Sequence, residues 1–271
     1  MSESAEGISL LIVVRNREGT VGPWLGRWSE SLRKLCRQSQ LIVIDDGSKD
    51  GTAGAIEKAG HSPLRNETAK GFGACVREAL KIADQPIFGY VGHEYPYEPS
   101  DLPKLLGEFG KFNSDYHLAV DVVSGCRTGV AVPPAWKAIG WLQRQFYRFI
   151  LGNPQPPLPS WYGVAEHWLN AKTRTLYGNP FHDVNCAFKL FRTSRLKAIP
   201  IQCDDDGVHI ELIAKLTFLT TLMAEVPLSP QPDPIPSTIR QDLKSVFRSP
   251  QFKFGEVPPT PAVVCPVANM S

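Results

Sequence analysis

Two carboxylates, Asp45 and Asp46, close the apolar run LIVIDD and open onto a Gly47-Ser48 turn. Acids at the end of a buried strand present acceptor oxygens at the edge where an α/β sheet receives its ligands. The same segment, IDDGSKDGT (44–52), also reads as an Asx-rich turn in which Asp50 caps the helix that follows. Farther along, Gly92-His93-Glu94 ends a second apolar run, PIFGYVG. Asp45, Asp46 and this tripeptide therefore fall on one edge of one sheet. Lys70 and Gly71 open the sequence KGFG, whose glycines let the chain turn tightly into a helix. That segment lacks the third glycine of a dinucleotide fingerprint.

The elements that must hold these residues alternate between strand and helix. ISLLIVV (8–14) is a continuous apolar run, as a strand buried on both faces requires. The pattern predicts a helix over 21–37, a strand at 41–47, a helix at 52–59, a short apolar piece at 63–65 and a helix at 73–84. A strand at 86–92, a helix at 101–110 with Pro103 in its first turn, and a strand at 117–125 follow. The second half predicts helices at 135–151 and 160–177, separated by the proline-rich NPQPPLP, then a strand at 187–192 and a helix at 207–219. The stretch 227–236 reads as extended, 240–248 as a short helix, and the tail 256–271 as disordered. The expected fold class is α/β: one domain over 1–255 with a mostly parallel sheet covered by helices on both faces.

Composition narrows the partners. A net charge of +2 over 271 residues argues against a nucleic-acid surface. The six cysteines form no CxxC pair, which speaks against a structural zinc site and for a reduced, cytoplasmic setting. The N-terminal MSESAEG lacks the features of a signal peptide, and no apolar run is long enough to span a bilayer. One helix keeps peripheral membrane contact open. Over 135–151, Lys137, Trp141, Arg144 and Arg148 share one side, and Ile139, Leu142, Phe146 and Phe149 the other. Such a helix either docks its apolar face on the domain or lies in a membrane interface.

VIDDGSKDGT resembles the signature of the family-2 glycosyltransferases, whose domain has the GT-A fold. The likeness continues in order through ISLLIVVRNREG (8–19), RNETAKGFGACVREAL (65–80), DVVSGCR (121–127), HDVNCAFKLFR (182–192), ELIAKL (211–216) and AEVPL (224–228). It covers most of the chain and is strongest toward the dolichyl-phosphate-mannose-synthase-like branch. The resemblance implies transfer of a sugar, with inversion, from a nucleotide-diphospho-sugar. It implies that Asp45 and Asp46 hold base and ribose, that Asn66, Lys70 and Gly71 lie near ribose and phosphates, and that Arg127 faces the diphosphate or an anionic acceptor. Asp183 would line the site beside donor sugar and acceptor, as a base where the acceptor is a hydroxyl. An acceptor that is already a phosphate, as in the lipid-phosphate branch, needs none. Glu211 has a weaker case for lining the site: in the second turn of its helix, it also reads as a plain surface residue.

Three departures bear on activity. Counting back from Pro99, the family's Asp-x-Asp motif falls on Gly92 and Glu94, so Glu94 is the carboxylate left to hold a divalent cation (manganese or magnesium). His93 could add a nitrogen. Arg17 replaces the Glu of the Asn-Glu turn, and the branch's Arg…Ser…Asn helix reads Tyr162, Glu166, Asn170. An alternative follows: a member that binds a nucleotide-sugar or a partner without turnover. A nucleotidyltransferase would need a glycine-rich, basic first loop that this chain lacks.

Overall fold

The computed structural model describes residues 7–36, 38–92, 97–109, 112–113, 118–127, 161–219 and 221–229. The first half forms Ile8–Val14 (β1), Val21–Leu35 (α1), Ser39–Asp46 (β2), Thr52–Lys58 (α2), Leu64–Asn66 (β3), Phe72–Ile82 (α3) and Ile87–Val91 (β4). After a 3-10 turn at Pro99–Asp101 come Leu102–Phe109 (α4), Phe112–Asn113 (β5), Leu118–Ala119 (β6) and Val122–Cys126 (β7). The rest contributes Trp161–Tyr177 (α5), Phe188–Arg192 (β8), Thr193–Lys197 (α6), Val208–Phe218 (α7) and Met223–Pro227 (β9).

The seven-stranded sheet runs β3-β2-β1-β4-β8-β7-β9, and β5 pairs with β6 alone. Why β1 is apolar at every position but Ser9 is plain from its neighbours. Ile8, Leu10, Ile12 and Val14 face one core with Leu25, Trp28 and Leu32 of α1. Leu11 and Val13 face the other core with Cys75, Val76 and Ala79 of α3. A strand packed on both faces admits a polar residue only with a partner: Ser9 is buried and its hydroxyl donates to Gln40 Oε1 at 2.6 Å.

The sheet is parallel except at β8, which runs antiparallel to both β4 and β7. That reversal matters for the site. The edge where β1, β2, β4 and β7 end is the edge where β8 begins. Residues 183–187 are thereby delivered beside Gly92 and Arg127.

Two local expectations change. The predicted strand 117–125 divides: Leu118–Ala119 joins β5, and Val122–Cys126 enters the main sheet. The break falls at Asp121, whose amide donates to Leu222 O at 2.8 Å and whose carboxylate lies 3.5 Å from Arg192 and 3.7 Å from Arg195. A carboxylate needing cations cannot continue an apolar strand. The cap of α2 is Gly51 rather than Asp50, although Asp50 Oδ1 accepts from the Thr52 amide at 3.1 Å. The expected helices at 135–151 and 240–248, the stretch 230–236 and the tail lie outside the described residues. Among the described residues no helix is long and apolar enough to cross a membrane.

Candidate functional site

The loops after β1 and β2 are stapled to each other. Asn16, with φ of 51°, accepts the Lys49 amide on Oδ1 at 2.9 Å and donates its own amide to Ser48 Oγ at 2.9 Å. The Arg17 amide donates to Thr52 Oγ1 at 2.7 Å, and Glu18 Oε2 accepts the Gly51 amide at 3.0 Å. Glu18 therefore ties the two loops together, one position after the departure at Arg17.

Behind them lie the paired acids. Asp45 is 1% exposed; it accepts the Ser48 amide at 3.1 Å and lies 3.9 Å from Arg65. Asp46 accepts from Asn66 Nδ2 at 2.9 Å, the Lys70 amide at 2.8 Å and the Gly71 amide at 3.0 Å. The structure thus gathers Asp45, Asp46, Asn66, Lys70 and Gly71 in one cluster. In it Asp46 fastens segment 66–71, and the Gly71 amide, at the start of α3, is already taken. Lys70 Nζ reaches Glu78 at 2.8 Å from a half-exposed position.

Gly71 is required on two grounds. Its φ is +97°, and a Cβ there would run into the Asp204 carbonyl. Gly73 is pressed in the same way by the Cys203 carbonyl, so the sequence's tight turn is also a close approach by a strap at 203–204. Glu211 is the other correction here. It is 1% exposed, not at the surface, and its carboxylate accepts the amides of Gln202 and Cys203, each at 2.8 Å.

The second half of the site is the turn 181–186, which leads into β8. Arg127 grips Asp183 through Nε and Nη2, both at 2.7 Å, and through its backbone amide at 3.0 Å. The guanidinium expected to face a diphosphate is therefore engaged with Asp183. Burial resists the Asp183 charge, but Arg127 more than offsets it and holds the carboxyl below the usual carboxylate range. Glu225 of β9 accepts the His182 amide at 2.9 Å, the Asp183 amide at 2.9 Å and a 2.7 Å hydrogen bond with His182 Nδ1. Asn170 accepts the Val184 amide at 2.9 Å. From inside the sheet, Lys189 donates to Val184 O at 3.0 Å and to Cys186 O. It is fully buried, and that burial pulls its pKa down.

Sequence reasoning did not find Lys189 or Glu225. The signal was there in both: a charge flanked on both sides by apolar residues within a strand, AFKLF and AEVPL. A charge in such a place needs a partner, and the partner here is the turn.

At the third strand end, Gly92 donates its amide to Ala187 O at 2.8 Å, and Ala187 donates to Tyr97 Oη at 2.8 Å. A Cβ on residue 92 would stand 2.7 Å from the Ala187 Cβ, so the methyl at 187 closes position 92 to a side chain. His93 and Glu94, the expected cation ligands, lie outside the described residues. Among the described residues no three acids, histidines or cysteines converge as a metal would require.

With this geometry in hand, the family is clear. The family model for glycosyl transferase family 2 matches residues 9–163, more than half of the chain. The chain belongs to that family. Among curated proteins it is 22% identical over 200 residues to dodecaprenyl-phosphate galacturonate synthase of Rhizobium johnstonii, covering 72% of this chain and 50% of that one. It is 21% identical to undecaprenyl-phosphate 4-deoxy-4-formamido-L-arabinose transferase of Proteus mirabilis, covering 83% and 60%. The chain therefore spans about half the length of the first relative and 60% of the second. Among solved structures it resembles glucosyl-3-phosphoglycerate synthase of Mycobacterium tuberculosis in complex with Mn2+ and uridine-diphosphate-glucose. There the TM-score is 0.57 at 16% identity, over 90% of this chain and 76% of that one. The fold is GT-A, as the sequence led us to expect.

Proposed function

We propose that this chain transfers a sugar from a nucleotide-diphospho-sugar, with inversion, to an acceptor that is itself a phosphate, of the polyprenyl-phosphate class. The observation that carries the acceptor class is the Arg127–Asp183 lock. A carboxylate held by a bidentate guanidinium, with its pKa pushed down, is a poor proton acceptor, because a general base works best with a pKa near the operating pH. A phosphate oxygen arrives already ionised and needs no base. The names of the two curated relatives agree with that class.

In this reading Asp45, Asp46 and Asn66 hold base and ribose, and segment 70–71 lies along the phosphates. The acceptor oxygen bonds to the anomeric carbon as its bond to the diphosphate breaks on the opposite face. Negative charge then grows on the departing nucleoside diphosphate. Lys70 and Arg17 stand on the loops that would meet it, and Arg127 presents Asp183 to the sugar. A lipid-phosphate acceptor would bring the domain to a membrane surface, in keeping with the amphipathic pattern of the sequence over 135–151.

Two measurements test this. Calorimetry with uridine and guanosine diphosphates should show binding, and Asp46→Ala should weaken it roughly tenfold or more, the worth of a hydrogen bond to a charged group. Equal affinity in the two proteins would remove Asp46 from the site. Transfer assays should give product with a polyprenyl phosphate and none with the corresponding alcohol. Product from the alcohol, with a rate rising through an ionisation that Asp183→Asn abolishes, would restore Asp183 as a base.

A further inference from the structure

Segment 66–71 is gripped from two sides. On one side is Asp46, with its three donors. On the other is the strap 200–204, which runs across the start of α3 so closely that only glycine fits at 71 and 73. The Ala74 amide donates to Asp204 O at 3.1 Å. Arg77 of α3 reaches over the strap, donating to Cys203 O at 2.9 Å and pairing with Asp204.

What sets the strap's height is a charged pair inside α7. Glu211 and Lys215, one turn apart, lie 2.5 Å from each other and are 1% and 7% exposed. Between them they bind four groups of the strap. Glu211 takes the amides of residues 202 and 203; Lys215 donates to Pro200 O and, at 3.4 Å, to Gln202 Oε1. A buried ion pair rarely repays its desolvation in stability alone, so its retention points to what it specifies. Here that is the placement of extended backbone with no strand partner. From Glu211 the contacts run unbroken through Cys203 and Asp204 to Gly71, and from Gly71 to Asp46.

We infer that Glu211 is a positioning residue for the nucleotide edge: acting through the strap, it fixes segment 66–71 against Asp46. The functional half of this statement rests on the nucleotide reading above; the mechanical half does not. Glu211 touches no ligand. Its effect appears as affinity for the nucleotide, with the chemical step unchanged.

The experiment compares Glu211→Gln, Arg77→Met and Arg77→Lys with the native chain. Glu211→Gln leaves the Lys215 ammonium buried without its carboxylate and risks unfolding. Arg77→Met loosens the strap from the other side at a half-exposed position, and Arg77→Lys keeps the pairing with Asp204. Hydrogen exchange on the ligand-free proteins should show faster exchange of the Lys70 and Gly71 amides in Arg77→Met, and in Glu211→Gln if it folds. Those of β1 should be unchanged. Affinity for uridine or guanosine diphosphate should fall about tenfold in Arg77→Met and recover in Arg77→Lys, with kcat unchanged. Unaltered exchange at 70–71 in Arg77→Met would overturn the inference, whatever the nucleotide does. Faster exchange with full affinity would confine the strap to a structural role. If the native chain bound no nucleotide, the functional reading would fall while the exchange result still decided the mechanical claim.

Discussion

The two halves of the site are held by different forces. On the proposed nucleotide side, Asp45 and Asp46 are satisfied mostly by neutral donors, and the loops are fitted by left-handed glycines and close backbone contact. On the proposed transfer side, the turn 181–186 is held by charged side chains: a bidentate Arg127–Asp183 pair, a Glu225 clamp and the buried Lys189. The first arrangement is sensitive to shape. The second tolerates small changes of shape and depends on protonation.

The sharpest way to break the comparison is Arg127→Met. It strands the Asp183 carboxylate in a buried position, and loss of one partner of such a pair costs about 3–5 kcal/mol. Urea denaturation should show that loss, and Arg127→Met/Asp183→Leu should recover much of it. On the other side Gly71→Ala should cost less, about 1–3 kcal/mol, from its left-handed backbone and the Asp204 carbonyl. Thermal unfolding measures it, and no change in pH should rescue it.

Titration separates the halves next. Asp183 has a folded pKa below its unfolded value, so its contribution is present at neutral pH and lost as pH falls through the lowered value. Lys189 also has a lowered folded pKa, which for a base has the opposite sense. Its penalty is full below the folded value and eases as pH rises from there toward the unfolded value of about 10.4. Stability against pH should therefore lose its acid limb in Asp183→Asn and its alkaline rise in Lys189→Met. Curves parallel to the native one would show that these groups do not carry the transfer side. The smallest effect belongs to Lys70→Met. Its ion pair with Glu78 is solvent-screened, so stability should hardly move. A larger loss in nucleotide affinity would then assign Lys70 to the ligand.

The fold was largely legible because its strands are buried on both faces, and a short unbroken apolar run such as 8–14, rich in β-branched residues, suits little else. The direction of β8 was not legible, since periodicity carries no sense of direction; it emerges only from its pairing with β4 and β7. Asp45, Asp46 and Gly71 were readable because turn chemistry is local. Glu211 was misread because helical position alone cannot show a strap lying on the helix, and α7 is buried from Val208 to Leu216. The pairing of Arg127 with Asp183, 56 residues apart in sequence, was beyond any local rule. Each residue had been noticed separately, and only the sheet's reversal brings them together.

That reversal has a consequence for how the chain is made. β4 is complete at Val91, but the strand that covers its open side begins at Phe188. During synthesis from the N-terminus, the backbone groups of Ile87–Val91 stay unpaired on that side until the segment after Asp183 has left the ribosome. A nascent chain in that interval presents an apolar strand edge to its surroundings, the kind of surface that attracts other strands and that chaperones cover. Arrest of translation between β7 and β8 should thus release fragments that aggregate, whereas chains arrested after Arg192 can close the sheet on that side.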